Sequence, residues 1–160
     1  MNNISQCLLF KDRALEAAKF YVAIFPRSRI VSVSRYGKLV AGMAGRKPGS
    51  VLAVRFILSG RPYMALNGPT VRANMASSLV VPCRTQKEID HYWKRLTSGG
   101  GRASVCGWLT DKFGFSWQVA PARLSRWERG PAAAHDRMLA SIVRMRKLDL
   151  RTMEAAYRGR

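Results

Sequence analysis

Histidine and acid are what this 160-residue chain has least of: two histidines, and nine Asp plus Glu against 28 Lys plus Arg. Imidazole and carboxylate are the usual protein donors to a divalent metal, so few places remain where one could be held. Cysteine is also sparse. Cys7, Cys83 and Cys106 are odd in number and far apart, which excludes a disulfide framework and leaves free, buried thiols as the expectation. No uncharged apolar run approaches the ~18 residues that cross a bilayer. Met1 to Gln6 lacks the charged-then-apolar layout of a signal peptide. These absences point to a soluble cytoplasmic protein with no membrane partner.

What is abundant is positive charge, a formal +19 at pH 7. The arginines at 27, 29, 35, 46, 61, 72, 95 and 102 fall in different segments, and no block of five or six like charges occurs. The reading is a basic, soluble surface. A polyanion-binding protein is the alternative, and such a charge drives non-specific, salt-sensitive adhesion to nucleic acid. With 48% hydrophobic residues the chain can bury a core of one domain or a pair of half-domains.

Periodicity then orders the chain. Ile4 to Phe10 reads as a strand. Asp12 is a plausible N-cap for a helix over Arg13 to Phe25, whose inner face carries Leu15, Ala18, Phe20, Tyr21, Ile24 and Phe25. Arg29 to Tyr36 alternates as a half-buried strand, and Gly37 to Gly49 reads as a loop. Ser50 to Leu58 and Tyr63 to Asn67 make a hairpin around Gly60-Arg61-Pro62. A second strand, helix and three strands follow: Ser77 to Cys83, a helix capped by Thr85 with Glu88 closing a capping box, Arg102 to Cys106, and the hairpin of 106–121. The helix turns Ile89, Tyr92, Trp93 and Leu96 inward. Arg123 to Gly130 reads as a link, then Ala132 to Arg146 and Asp149 to Tyr157 as helices with Met-bearing apolar stripes, suited to core or subunit contact. The organisation is one α+β domain: a βαβββ module over 1–68, a second over 76–121, and a helical tail over 122–160.

The hairpin of 106–121 concentrates the unusual side chains. Asp111, Lys112 and Gly114 make its turn. Trp108 and Trp117 are either core or an aromatic wall for a flat ligand. Gln118, if buried, needs hydrogen-bond partners that a ligand or water would supply. Asn67, before a glycine, is equally a turn residue or a ligand contact. Cys106 has no histidine near it to activate it as a nucleophile.

Two such modules in tandem resemble the vicinal oxygen chelate superfamily, the glyoxalase and bleomycin-resistance group. The segments CLLF, ALEAAKFYVAIFPRSRI, PYMALNGP, TQKEIDHYWKRLTSGGG and CGWLTDKFGFSWQVAPARL resemble its PhnB-like branch, labelled 3-demethylubiquinone 3-methyltransferase-like, and the resemblance covers essentially the whole chain, including the tail KLDLRTMEAAY. The resemblance implies curved sheets lining a cleft, commonly in a homodimer. In metal-dependent members of the superfamily, His and Glu from four strands hold a divalent ion. The matching positions are Ser5 or Gln6, Ala65 or Asn67, Ala76 or Ser78, and Gln118 where glutamate is usual. None is a good metal ligand, and His91 and His135 fall on helices. The glycines at 42, 45 and 49 do not form the glycine-rich turn and acidic follower that hold S-adenosylmethionine. Around 69–76 the chain departs from the family, losing aromatic and acidic groups and gaining Arg72, a partner for an anionic ligand.

The expectation is therefore a small-molecule binder without metal or cofactor. Its ligand contacts are drawn from Gln6, Asn67, Arg72, Ser78, Trp108, Trp117 and Gln118. A metal-dependent enzyme of the superfamily, methyl transfer by family label, and polyanion binding are the alternatives. No residue pattern fixes a reaction.

Overall fold

A computed structural model describes residues 4–69 and 74–160 of the chain. Its backbone divides into two compact units, Met1–Arg72 and Ala73–Arg160.

In the first unit the order is β1 (Gln6–Phe10), α1 (Ala14–Val22), β2 (Arg29–Arg35), α2 (Lys38–Met43), β3 (Val51–Leu58) and β4 (Arg61–Asn67). The four strands form one sheet in the order β1-β4-β3-β2, with β1 and β4 parallel. Alternation decides which side is core. Leu8, Phe10, Val54, Phe56, Leu58 and Ala65 are buried and share the face that α1 covers. Ala14, Ala17 and Ala18 are fully buried on that helix, so it lies close against the sheet. Tyr21 stacks on Phe56, and Phe56 on Tyr63, with ring centroids 6.4 and 5.5 Å apart. Phe20 and Leu15 sit only partly inside, since Ala17 and Ala18 take the contact line.

Three local expectations change here. Asp12 does not cap α1: the N-cap is Arg13, with no side-chain cap bond, and Asn67 Oδ1 accepts from Ala14 N instead. The segment 37–49 holds a short helix, α2, whose Ala41 is buried while Leu39 and Met43 are exposed. Strand β2 is an edge strand and is mostly exposed rather than half-buried.

The second unit repeats the topology: β5 (Ser78–Cys83), α3 (Gln86–Thr97), β6 (Arg102–Ala103), β7 (Trp108–Thr110) and β8 (Ser116–Pro121), in the sheet order β5-β8-β7-β6 with β5 and β8 parallel. In each unit the first strand pairs with the fourth and the second lies at the far edge. Thr85 caps α3 by accepting from Glu88 N, while the Glu88 carboxylate accepts from Arg84 N, one residue earlier than a capping box would have it. Leu109, Trp117, Val119, Val81 and Cys83 join Ile89 and Leu96 of α3 in the core.

Strand β6 is shorter than expected, because the chain turns at 104–107 with Cys106 at φ 57°. Cys106 is half-buried and Cys7 exposed, so of the three thiols only Cys83 is buried. Three helices complete the unit: α4 (Leu124–Glu128), α5 (Ala132–Ile142) and α6 (Leu150–Arg158). The expected link at 123–130 is thus partly helical, because Trp127 turns inward. The segment before α6 is tied to the module. Cys106 N and Gly107 N donate to the carbonyls of Met145 and Arg146, and Gln86 bonds both Leu148 O and Leu150 N. Asp149 caps α6 by accepting from Thr152 N. Among the described residues no helix is long and apolar enough to cross a membrane.

Candidate functional site

The register of the second sheet sorts its side chains. Val80, Gln118 and Trp108 are paired across β5, β8 and β7, and so are Leu79, Trp117 and Leu109. The two rows point to opposite faces. Trp117 and Leu109, each 1% exposed, belong to the core row. Trp117 Nε1 donates to Asp111 Oδ2 at 2.8 Å. The other row lies on the face away from this core. There Trp108 and Gln118 are half-buried, and Val80 is 59% exposed.

On that open face Gln118 Nε2 donates to Ser78 Oγ at 2.8 Å. A hydroxyl carries one donor and two acceptor sites. With an acceptor site taken, Ser78 retains its O–H as a donor, and Gln118 retains its carbonyl oxygen as an acceptor. The pair therefore presents a donor and an acceptor side by side, flanked by an indole and a valine. The pair itself, a hydroxyl and an amide, contains no group that titrates near neutral pH. The nearest acid in sequence, Asp111, faces the core at 3% exposure and accepts from Phe113 N and Phe115 N through Oδ1.

The remaining sequence-selected positions lie in the first unit. Asn67 is 5% exposed on the core face. Its Oδ1 accepts from Ala14 N at 2.9 Å, its Nδ2 donates to Val51 O at 3.0 Å, and its carbonyl accepts from Tyr36 Oη at 3.0 Å. The fold thus accounts for this side chain by tying the start of α1 to the sheet. Gln6 is exposed at the start of β1 and, with Tyr63 and Arg61, lines an open depression of about 830 Å³. Arg72 lies outside the described residues. The structure brings together Ser78, Trp108 and Gln118, and separates Trp117 from them.

Among the described residues no group of three His, Cys, Asp or Glu is placed to hold a metal ion. His91 and His135 lie on α3 and α5. Burial pushes the Cys83 thiol up to about 12, with the Glu88 charge adding to it, and burial also raises Cys7. Neither thiol has the depressed pKa of a nucleophile.

Two βαβββ modules of matching strand order, each with one helix-covered and one open sheet face, define a vicinal oxygen chelate fold. Residues 2–120 match the family model of 3-demethylubiquinone-9 3-methyltransferase, and the chain belongs to this PhnB-like family. A protein of the same description, PhnB from Bacillus cereus, is 33% identical with a TM-score of 0.64, over 74% of this chain and 98% of its own. Protein PA1353 of Pseudomonas aeruginosa is 16% identical, TM-score 0.60, over 76% and 98%. The fosfomycin resistance protein FosX of Listeria monocytogenes is 13% identical, TM-score 0.59, over 81% and 98%. Another crystal of that FosX contains Mn(II) and sulfate, and matches at 14% identity and a TM-score of 0.53, over 79% and 97%. These last three likenesses are of fold alone. No curated protein matches the chain.

The open-face pair was found from the family position of Gln118, not from spacing. Sequence reasoning missed the grouping of Arg123, Arg126, Arg129 and Arg158 around one pocket in the tail. Its only signal was arginine at 123, 126 and 129, a three-residue repeat in a segment read as a link.

Proposed function

We propose that the open face around Ser78, Trp108 and Gln118 binds a small, flat, largely apolar molecule through paired hydrogen bonds, without a metal ion. The observation that carries this reading is the Gln118–Ser78 hydrogen bond, beside Trp108 in the same row. A neutral ring bearing one acceptor and one donor suits the neutral hydroxyl–amide pair, while the charge that the register places on this face, exposed Arg102, lies out on the edge strand opposite Thr110.

A divalent metal of the kind seen in the FosX crystal does not fit the residues present. The family's glutamate position holds a neutral amide already engaged with a hydroxyl, and the described residues supply no cluster of anionic or imidazole donors. Methyl transfer, which the family description names, finds no support in the glycines of 37–49, which belong to a six-residue helix and its flanks. A cytoplasmic homodimer remains part of this proposal; exposed Val31, Leu39 and Met43 are apolar surface that a second copy would cover.

The test is thermal unfolding with Mn(II), Zn(II) and Ni(II), and separately with a panel of neutral aromatic metabolites, because a ligand that binds only the folded state raises its stability. A midpoint raised by an organic compound, insensitive to EDTA and lost in Gln118→Ala, supports the reading. A stoichiometric metal response reversed by EDTA overturns it.

A further inference from the structure

We infer that the helical tail carries a second, separate site that binds phosphorylated small molecules. The resemblance was expected to reach the tail segment KLDLRTMEAAY, but the family match ends at residue 120, so the helices α4 to α6 lie beyond it. Between α4 and α6 is a pocket of about 590 Å³, a size that suits a small ligand rather than a single water. Its charge is one-sided. Arg123, Arg126, Arg129 and Arg158 line it together with one carboxylate, Glu154, a net of three positive charges. Guanidinium groups stay protonated at any physiological pH, so this excess cannot be relieved by titration.

Arg123 is paired with Glu154 and lies 5.9 Å from the Trp127 ring. Among the described residues Arg126, Arg129 and Arg158 have no carboxylate partner. Like charges gathered around a concave surface repel one another unless an anion joins them. A phosphoryl group carries close to two negative charges and acceptor oxygens that guanidinium forks match in pairs.

The pocket is also held in shape. Trp127, 8% exposed, stacks on Tyr157 with centroids 5.7 Å apart and planes at 26°, which fixes α4 against α6. Gly130 passes so close to the Tyr157 ring that a methyl group there would collide with the hydroxyl. On α5, Arg137 donates to the carbonyls of Ala156 and Tyr157, holding the last turn of α6. The arginines thus project from a braced frame, and the aromatic pair gives the pocket an apolar wall. This site is made by different residues from the open face of the second sheet, where Ser78, Trp108 and Gln118 stand.

The test uses the full chain and inorganic pyrophosphate as probe, titrated by calorimetry at constant ionic strength. Saturable one-to-one binding is expected. The double variant Arg126→Gln/Arg158→Gln should weaken it by about tenfold or more, since both lost groups make charge-assisted bonds. The double variant Arg55→Gln/Arg61→Gln removes the same charge from residues that do not line the pocket and should change it by less than about twofold, as the loss of solvent-screened charge does. Unchanged unfolding midpoints without probe show that both variants are folded. Equal weakening in the two variants, or heat that never saturates, overturns the site and assigns the anion affinity to the general +19 charge.

Discussion

Asp111 and Trp117 are joined across the β7–β8 turn, the indole N–H donating to Oδ2 at 2.8 Å while Oδ1 accepts two backbone N–H groups of the same turn. One buried carboxylate therefore shapes the turn and fixes the largest core side chain of the second unit. Removing it takes this acceptor away from three donors. Asp111→Ala should cost about 3 kcal/mol, within the range for removing a buried acceptor shared by several donors. Asp111→Asn keeps one acceptor oxygen and should cost less. Urea unfolding of the two variants checks both the size and the order.

Asn67 makes the corresponding tie in the first unit, linking the start of α1 to β3 through its amide. Asn67→Ala should lower stability by about 2 kcal/mol, combining a lost helix cap with a lost buried bond. It should leave the binding of any open-face ligand unchanged. A loss of ligand binding with normal stability would instead make Asn67 a contact residue.

The order of elements was legible because alternation and helical spacing are local signals. What failed to show was non-local. Asn67 meets Ala14 across 53 positions of sequence, so Asp12, the nearer candidate, looked like the cap. Helix α2 was hidden by its glycines, and only Ala41 of it is buried. Trp117 and Gln118 are neighbours in one strand, and the pleat sends neighbours to opposite faces. Parity alone therefore separates Trp117 from the candidate site, whereas two tryptophans near one turn had left both open as core or as an aromatic wall. Ser78 and Gln118 required the β5–β8 register, which joins residues 40 apart.

Replacing the amide by the acid tests whether a metal centre lies one substitution away. Gln118→Glu installs next to Ser78 the carboxylate that the resemblance to metal-dependent members of the superfamily implies, yet one carboxylate and one hydroxyl do not make a tight transition-metal site. Electron paramagnetic resonance should show Mn(II) remaining free with the variant at millimolar concentrations or below. Stoichiometric capture of Mn(II) by Gln118→Glu would show that unrecognised donors face the amide.

The buried thiol of Cys83 sets an alkaline limit. Burial pushes it up to about 12, with Glu88 adding to the shift, against 9.0 for the exposed group. The folded chain thus keeps a proton that the unfolded chain releases. That contribution is complete below pH about 9 and is lost progressively as pH rises towards about 12. Tyr63 and Tyr92 are also raised by burial, so the wild-type limb is composite. Cys83→Ala isolates the thiol: the stability difference between wild type and variant should shrink between pH 8 and pH 10.5, read by urea unfolding at each pH. Iodoacetamide at pH 8 should label Cys7, which is exposed, and reach Cys83 only after unfolding. A pH-independent difference between the two proteins would show that Cys83 contributes packing alone.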